Sequence, residues 1–166
     1  MPRRRYYKRH VNRDKYSIEQ TLINTPSSSQ WPLFQAQGSL AATRQITYDI
    51  LPSTELQGMR KAKHFTLTFT ATEDVQPYYY ALVFVPAGYN AQRVNLPNAG
   101  TALPAYDANQ FVISQGVLDF SGGPLRIRTN LSRNLNSEDS IALILATYDG
   151  VDAAILVSVR YAVTLQ

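Results

Sequence analysis

The sequence predicts an all-β domain, a two-sheet sandwich or jelly roll, preceded by a basic N-terminal arm. Apolar and polar residues alternate with a period of two in several segments, as in half-buried strands. The chain is rich in Tyr and Pro, with 11 and 9 residues, a composition that favours strands and turns. No segment has the three-turn apolar periodicity of an amphipathic helix. A length of 166 residues fits a single domain with a substantial core.

The N-terminus differs sharply in charge from the rest of the chain. The segment MPRRRYYKRHVNRDK has seven basic residues and one acidic residue, a net charge of +6, whereas the remaining residues carry −2. Its few apolar side chains cannot offset the ordering entropy of roughly 1–2 kcal/mol per residue. We therefore predict a flexible arm over residues 1–15, a connecting segment with a candidate short strand over 16–42, and the main β domain over 43–166.

The strands of the main domain are predicted from their apolar pattern. In residues 63–71, Phe65, Leu67 and Phe69 alternate with polar residues, and segment 78–86 is apolar on both faces, as in a central strand. By the same criteria the other predicted strands span residues 44–51, 110–120, 123–129, 140–148 and 153–165. Together with SIEQTLIN in the connecting segment they make seven or eight strands, joined by turns and one long connection at about 87–109.

The sequence lacks the common signatures of catalysis and metal binding. It has no phosphate-binding glycine motif, no H-E-x-x-H pair and no cysteine. Its two histidines are His10 in the arm and His64 in a predicted strand, where we expect a plain surface or interface residue. We predict no catalytic residue, no metal and no cofactor. No apolar run approaches the roughly 20 residues needed to span a bilayer, so we predict no membrane insertion.

The arm interleaves cations with aromatic rings, which suits single-stranded nucleic acid. Basic side chains neutralise phosphates and release counterions, and Tyr6, Tyr7 and Tyr16 can stack on unpaired bases at roughly 1–3 kcal/mol each. The predicted nucleic-acid-binding residues are Arg3, Arg4, Arg5, Tyr6, Tyr7, Lys8, Arg9, Arg13 and Lys15. The same basic run is typical of a nuclear-import signal, and a solvated tail is the plainer alternative.

Two groups of cations in the body are candidates for an inner surface or a subunit contact. Arg126 and Arg128 are two residues apart, so both leave one face of a strand while Leu125 and Ile127 enter the core. The second group, just before the alternating strand, is Arg60, Lys61 and Lys63. The body is nearly neutral as a whole, which is atypical of DNA-reading domains. This division of charge suits an assembly in which the nearly neutral domains pack against one another and the basic arms bind the nucleic acid.

Several segments resemble capsid proteins of circovirus-like small circular single-stranded DNA viruses. The most specific is GPLRIRTNLSRNLNSEDSIALIL, and the likeness extends through MPRRRYYKRHVNRDKYSIEQT, LQGMRKAKHFTLTF, YYYALVFVPAGY and VRYAVTLQ over nearly the whole chain. The resemblance implies a single eight-stranded jelly roll that assembles into an icosahedral shell of about sixty copies or a multiple. It also implies an arm that faces the packaged genome and engages a host nuclear import receptor, with the protein in the virion and, during assembly, in the host cell nucleus.

The arm departs from the resemblance because it is shorter and less charged than typical circovirus arms. Sixty arms would supply roughly 360 charges, fewer than the phosphates of a genome that encodes both a coat and a replication protein. Inner-face cations or soluble counterions must neutralise the remainder. Three alternatives stay open: a monomeric β-barrel nucleic-acid-binding module, the coat of a small satellite RNA virus, and a β-sandwich enzyme or lectin with a carboxylate-based site.

Overall fold

The computed structural model describes residues 16–34, 42–55, 58–72, 77–91, 111–148 and 152–165. Within these ranges the chain forms nine β-strands, one three-residue 3-10 turn at Ser28–Gln30 and no α-helix. The strands are β1 (Ser17–Asn24), β2 (Leu33–Phe34), β3 (Thr43–Leu51), β4 (Arg60–Ala71), β5 (Tyr78–Val85), β6 (Phe111–Leu118), β7 (Leu125–Leu135), β8 (Ser140–Tyr148) and β9 (Ile155–Leu165). The predicted arm, residues 1–15, lies outside the described residues.

The strands form two antiparallel sheets, which confirms the predicted all-β sandwich. The four-stranded sheet has the order β1-β9-β4-β7, and the five-stranded sheet has the order β2-β3-β8-β5-β6. All described pairings are antiparallel. In the connecting segment predicted over 16–42, β1 pairs with β9 along its whole length, so this segment contributes an edge strand to the sandwich.

The expected count of eight strands is wrong, because β2 is a ninth. It has only two residues, Leu33 and Phe34, which pair with Arg44 and Thr43, and two residues are too few to show a period. Two other strands are longer than their apolar pattern indicates. Strand β4 begins at Arg60 and β7 continues to Leu135, because these polar extensions pair with each other through their backbones.

The core lies between the two sheets and follows the predicted alternation. Phe65, Leu67 and Phe69 of β4 are fully buried, and they face buried residues of β5 and β8 across the sandwich. The Phe69 and Tyr80 rings, 5.3 Å apart, join the two sheets. Strand β8 is buried on both faces, and a second apolar cluster lies on the outer side of its sheet, formed by Ala81, Val83, Val85, Ala142, Ile144 and Ala146.

A closed ring of hydrogen bonds joins the 3-10 turn to β5 and to the segment that precedes β9. The Ser28 hydroxyl donates to the Tyr78 oxygen at 2.9 Å, the Tyr78 hydroxyl donates to the Ala153 carbonyl at 3.2 Å, and the Ala153 N–H donates to Ser28 Oγ at 3.1 Å. Trp31, buried beside this ring, donates through Nε1 to the Pro26 carbonyl at 2.9 Å. Every polar atom of the ring therefore has a partner, which lets it be buried at little cost.

Burial raises the pKa of the Tyr78 hydroxyl above its ordinary value of 10.0; the hydrogen bond from Ser28 opposes this rise and the charge of Asp152 adds to it. Between pH 10 and this higher value, the folded chain keeps a proton that the unfolded chain releases. The stabilisation from the neutral hydroxyl is complete below pH 10 and is lost as the pH rises through the folded pKa.

Replacing Tyr78 by Phe should lower the free energy of unfolding by about 1 kcal/mol at neutral pH, because a buried hydrogen-bonded hydroxyl is lost. Thermal melts should also show that the wild type loses more stability than Tyr78→Phe between pH 9 and pH 11. The matched control is Tyr89→Phe, at an exposed ring, which should change neither quantity. A Tyr78→Phe variant with the stability and alkaline response of the wild type would contradict this account.

Candidate nucleic-acid interface

The outward face of the four-stranded sheet gathers most of the cations of the body. Residues that alternate with the buried ones on β4, β7 and β9 point away from the core, and the strand register places them side by side. Among the described residues of these strands and β1, this face bears no Asp or Glu. We call it the basic face, after its five Lys and Arg side chains, which are Lys61, Lys63, Arg126, Arg128 and Arg160.

Three arginines of the basic face lie close together in register. Thr66 of β4 pairs with Arg128 on one side and with Arg160 on the other. At about 4.8 Å between neighbouring strands, the Cα atoms of Arg128 and Arg160 are about 10 Å apart. Arg126 lies two residues along β7, about 7 Å from Arg128. All three side chains are exposed, and their lengths allow the guanidinium groups to reach the space above Thr66.

His64 marks an irregularity in β4 next to these arginines. Its φ of 57° lies in the left-handed region, which is uncommon for residues other than glycine. The register with β7 shifts between Lys63 and Phe65, and the register with β9 shifts between Lys63 and Thr66. These are β-bulges, which bend a strand and re-aim its side chains. His64 is exposed at this bulge, and the regular alternation of side chains along β4 is interrupted there.

A depression of about 330 Å³ lies at this bulge on the basic face. We call it the arginine groove. It is lined by the cations Arg126, Arg128 and Arg160 together with His64, and its apolar side includes Ile18 and Ala162. Within the described part of the chain, no acidic side chain pairs with the three arginines. The groove therefore combines exposed guanidinium donors with a small apolar surface, a pattern that suits anionic ligands with an apolar part.

The start of the described chain lies against the basic face. The Lys63 ammonium lies 3.4 Å from the centroid of the Tyr16 ring, a cation–π contact. Tyr16 follows Lys15, the last residue of the predicted arm, so the arm joins the domain beside the basic face. The nine predicted nucleic-acid-binding residues of the arm lie outside the described residues, and stacking of Tyr16 on a base stays a prediction.

Arg60 does not belong to the surface cations with which the sequence analysis grouped it. It is only 8% exposed, and its Nη1 and Nη2 donate to the carbonyls of Pro52 and Asp139 at 2.9 and 3.0 Å. The Asp139 carboxylate in turn accepts from the backbone N–H groups of Ala87 and Asn136. Unbroken alternation counted back from Phe65 would turn Arg60 outward and Lys61 and Lys63 inward, but the bulge at His64 adds one residue and reverses these directions.

Arg160 belongs to the basic face but was not among the cations predicted from the sequence. The pattern of β9 assigns Val157, Val159 and Tyr161 to the core, so the residues between them must point outward. The signal was therefore present in the sequence. What the sequence did not show is that β9 lies two strands from β7, which brings Arg160 to Arg126 and Arg128.

Other kinds of site have little support in the described ranges. No group of three or more His, Asp or Glu side chains there could hold a metal ion. Over the same residues, the structure contains no helix with the length and apolarity required to cross a membrane.

Comparisons with known proteins leave the family open. No protein-family model matches the chain, and no curated protein sequence does. Among solved structures, it is similar to the dimeric latent PorU of Porphyromonas gingivalis, with 13% identity and a TM-score of 0.33 over 91% of this chain and 13% of that one. It is also similar to the structure of infectious bursal disease virus, Gx strain, with 12% identity and a TM-score of 0.19 over 92% of this chain and 43% of that one. Scores this low carry no argument about function.

The different surroundings of two arginines predict a large effect on stability for one and almost none for the other. Arg60→Ala should lower the free energy of unfolding by about 2–4 kcal/mol, because two buried carbonyls lose charged donors and a void remains. Arg126→Ala removes the same charge from an exposed position and should change it by less than about 0.5 kcal/mol. Urea denaturation of both variants measures the difference. Similar stabilities for the two would show that Arg60 is not a structural residue.

Proposed function

We propose that the protein is a viral coat protein that self-assembles into an icosahedral shell and packages single-stranded DNA without catalysis. The observation that carries this proposal is the position of the basic face. Because Tyr16 contacts Lys63, the arm joins the domain on the side where the body collects its own cations. Arm and face can then contact one polymer together, while the other surfaces of the domain remain available for contacts with further copies.

The strand order supports a jelly roll as the finer description of the sandwich. Without the two-residue β2, the sheets are β1-β9-β4-β7 and β3-β8-β5-β6, each of four strands. Strands that are distant in sequence, such as β1 and β9 or β3 and β8, are neighbours in each sheet. This is the pattern of an eight-stranded double-sheet fold with Greek-key connections, which occurs in viral capsids and also in lectins and cupins. The fold alone therefore does not choose among these functions.

The basic face also reduces the difference between the positive charge that the arms supply and the negative charge of the genome phosphates. Its five cations nearly double the +6 of the arm, so about sixty copies would offer roughly 660 positive charges instead of roughly 360. This supports an arrangement in which the outward side of the four-stranded sheet lines the interior of the shell. The arm would additionally act as the signal read by a host nuclear import receptor, in keeping with its basic run.

A monomeric nucleic-acid-binding module is the second candidate, and the basic face favours it too. Such a module binds through a basic patch on its folded surface, and the body has one. The two candidates differ in assembly, because the module would remain a single small domain in solution. The coat of a satellite RNA virus is a variant of the first candidate, since phosphate contacts and stacking serve RNA as well as DNA.

Deleting residues 1–15 should leave a folded domain that still forms shells, but these shells should be empty or hold random contents. Negative-stain images and the ratio of absorbance at 260 and 280 nm give the two measurements. The full chain should yield uniform particles that contain nucleic acid. Solitary domains for the full chain under all salt conditions would favour the monomeric module, and a deletion variant that does not fold would contradict the proposed division between arm and body.

Salt should weaken binding of the arm to single strands in proportion to its cations. A peptide of residues 1–15 has seven Lys and Arg residues, and each contributes about 0.7 to the slope on single strands. The logarithm of the association constant should therefore fall against the logarithm of the salt concentration with a slope no steeper than about −5. Fluorescence anisotropy with a labelled oligonucleotide measures this slope, and a flat response would remove the electrostatic explanation.

A further inference from the structure

We propose that the arginine groove binds one nucleotide unit of single-stranded nucleic acid, with the phosphate held by Arg126, Arg128 and Arg160. This inference rests on the proposed function and extends it, because it assigns to the folded domain a defined contact with the strand in addition to the attraction of the arm. It also distinguishes three of the five cations of the basic face from the other two, which lie outside the groove.

The arrangement of the three arginines suits a phosphate better than a diffuse counterion layer. Arg128 and Arg160 approach from opposite sides of Thr66, on strands that both neighbour β4. Guanidinium groups are planar forks that bind phosphate oxygens with two parallel hydrogen bonds. Like charges at this spacing repel one another, and no acidic side chain in the described residues relieves the repulsion. An anion bound between the arginines would neutralise this repulsion.

The size and surface of the groove fit one nucleotide. Its volume of about 330 Å³ is at the lower end of the range of about 300–1,000 Å³ typical of small-ligand sites. Ile18, which is 63% exposed, and Ala162 give it an apolar side on β1 and β9, next to Arg160 and across β4 from Arg126 and Arg128. A sugar or base can pack on this side while its phosphate meets the guanidinium groups.

The bulge at His64 gives the groove its position. Counting back from Phe65, a regular strand would place His64 outward and Lys63 in the core, but the extra residue at His64 leaves both Lys63 and His64 outside the core. The imidazole then stands at the rim beside the arginines, where its ring N–H can donate to an anion. Strained backbone of this kind clusters at functional sites, and here it coincides with the depression.

The test compares Arg160→Ala and Arg128→Ala with Lys61→Ala in the full-length chain. All three remove one positive charge from the basic face, but Lys61 lies outside the groove. The probe is a labelled thymidine oligomer of about ten nucleotides, and fluorescence anisotropy measures the dissociation constant. We expect each groove variant to weaken binding about tenfold or more, as the loss of a charged hydrogen bond does, and Lys61→Ala to weaken it less than about twofold. Equal effects of all three variants would overturn the proposal.

A charge-conserving variant separates the groove from general electrostatics. Arg160→Lys keeps the charge but loses the planar fork, so the salt slope should remain that of the wild type while the dissociation constant rises at least about threefold. If Arg160→Lys binds as tightly as the wild type, the groove acts only through its charge and the proposal fails. Inorganic phosphate at matched ionic strength should compete with the oligomer more strongly than chloride for the wild type, but not for Arg160→Ala. Equal competition by the two salts in the wild type would exclude a phosphate site.

Light scattering on the same samples keeps this proposal distinct from the proposed function. Groove variants that bind weakly but still form particles support the groove and leave the coat function standing. If no chain forms particles while the groove variants still bind less tightly than Lys61→Ala, the coat function fails and the groove remains as the site of a monomeric module.

Discussion

The alternation of side chains across extended strands is the constraint on which the rest of this molecule depends. Successive residues of a strand point to opposite faces, so once Phe65, Leu67 and Phe69 enter the core, the residues between them must face outward. The same rule applied to β7 and β9 sends Arg126, Arg128 and Arg160 to one side of a single sheet. The core and the basic face are thus two consequences of one pattern, and a shift of one residue in register would exchange them.

The bulge at His64 is the place where this rule is broken, and it changes what the sheet presents. Without it, β4 would maintain a regular register with both neighbours. With it, Lys63 and Thr66 both face outward, and the sheet has a depression between the two arginines of β7 and Arg160 of β9. Bulges raise the local twist and bend the strand, so the irregularity makes a concave site on a surface that is otherwise pleated. The largest deviation from regular geometry among the residues of the basic face therefore coincides with its densest positive charge.

Much of this structure could be predicted from the sequence, and the rest depends on long-range pairing. The all-β class, the strand at 63–71 and the central position of segment 78–86 followed from apolar periodicity. The outward direction of Arg126 and Arg128 followed from the same period. Strand β2 could not be found in this way, because two residues have no period. The start of β4 at Arg60 could not be predicted either, since its first residues are held by pairing with β7, and the inward direction of Arg60 depends on the bulge at His64.

The grouping of Arg160 with Arg126 and Arg128 shows more clearly what a sequence pattern lacks. Alternation assigns each side chain to a face, but it does not say which strands are neighbours. Residues 128 and 160 come together only because β4 pairs with both β7 and β9. The conformation of His64 is likewise set by pairing on both sides. Sequence patterns therefore predicted the faces of the strands, whereas the site on one face required the topology.

The separation of charge within the body is an argument for a polyanionic partner. The body is nearly neutral as a whole, yet its basic face bears five cations and, over the described residues, no acid. Placing acidic residues among these cations would remove the repulsion between them without changing the overall composition. Soluble salt screens such repulsion only partly at distances shorter than about 8–10 Å, which is the spacing of these arginines. A bound strand of nucleic acid would relieve it directly, so in a shell lined by this face the filled particle would be more stable than the empty one. Packaging and assembly would then be coupled by the same five side chains.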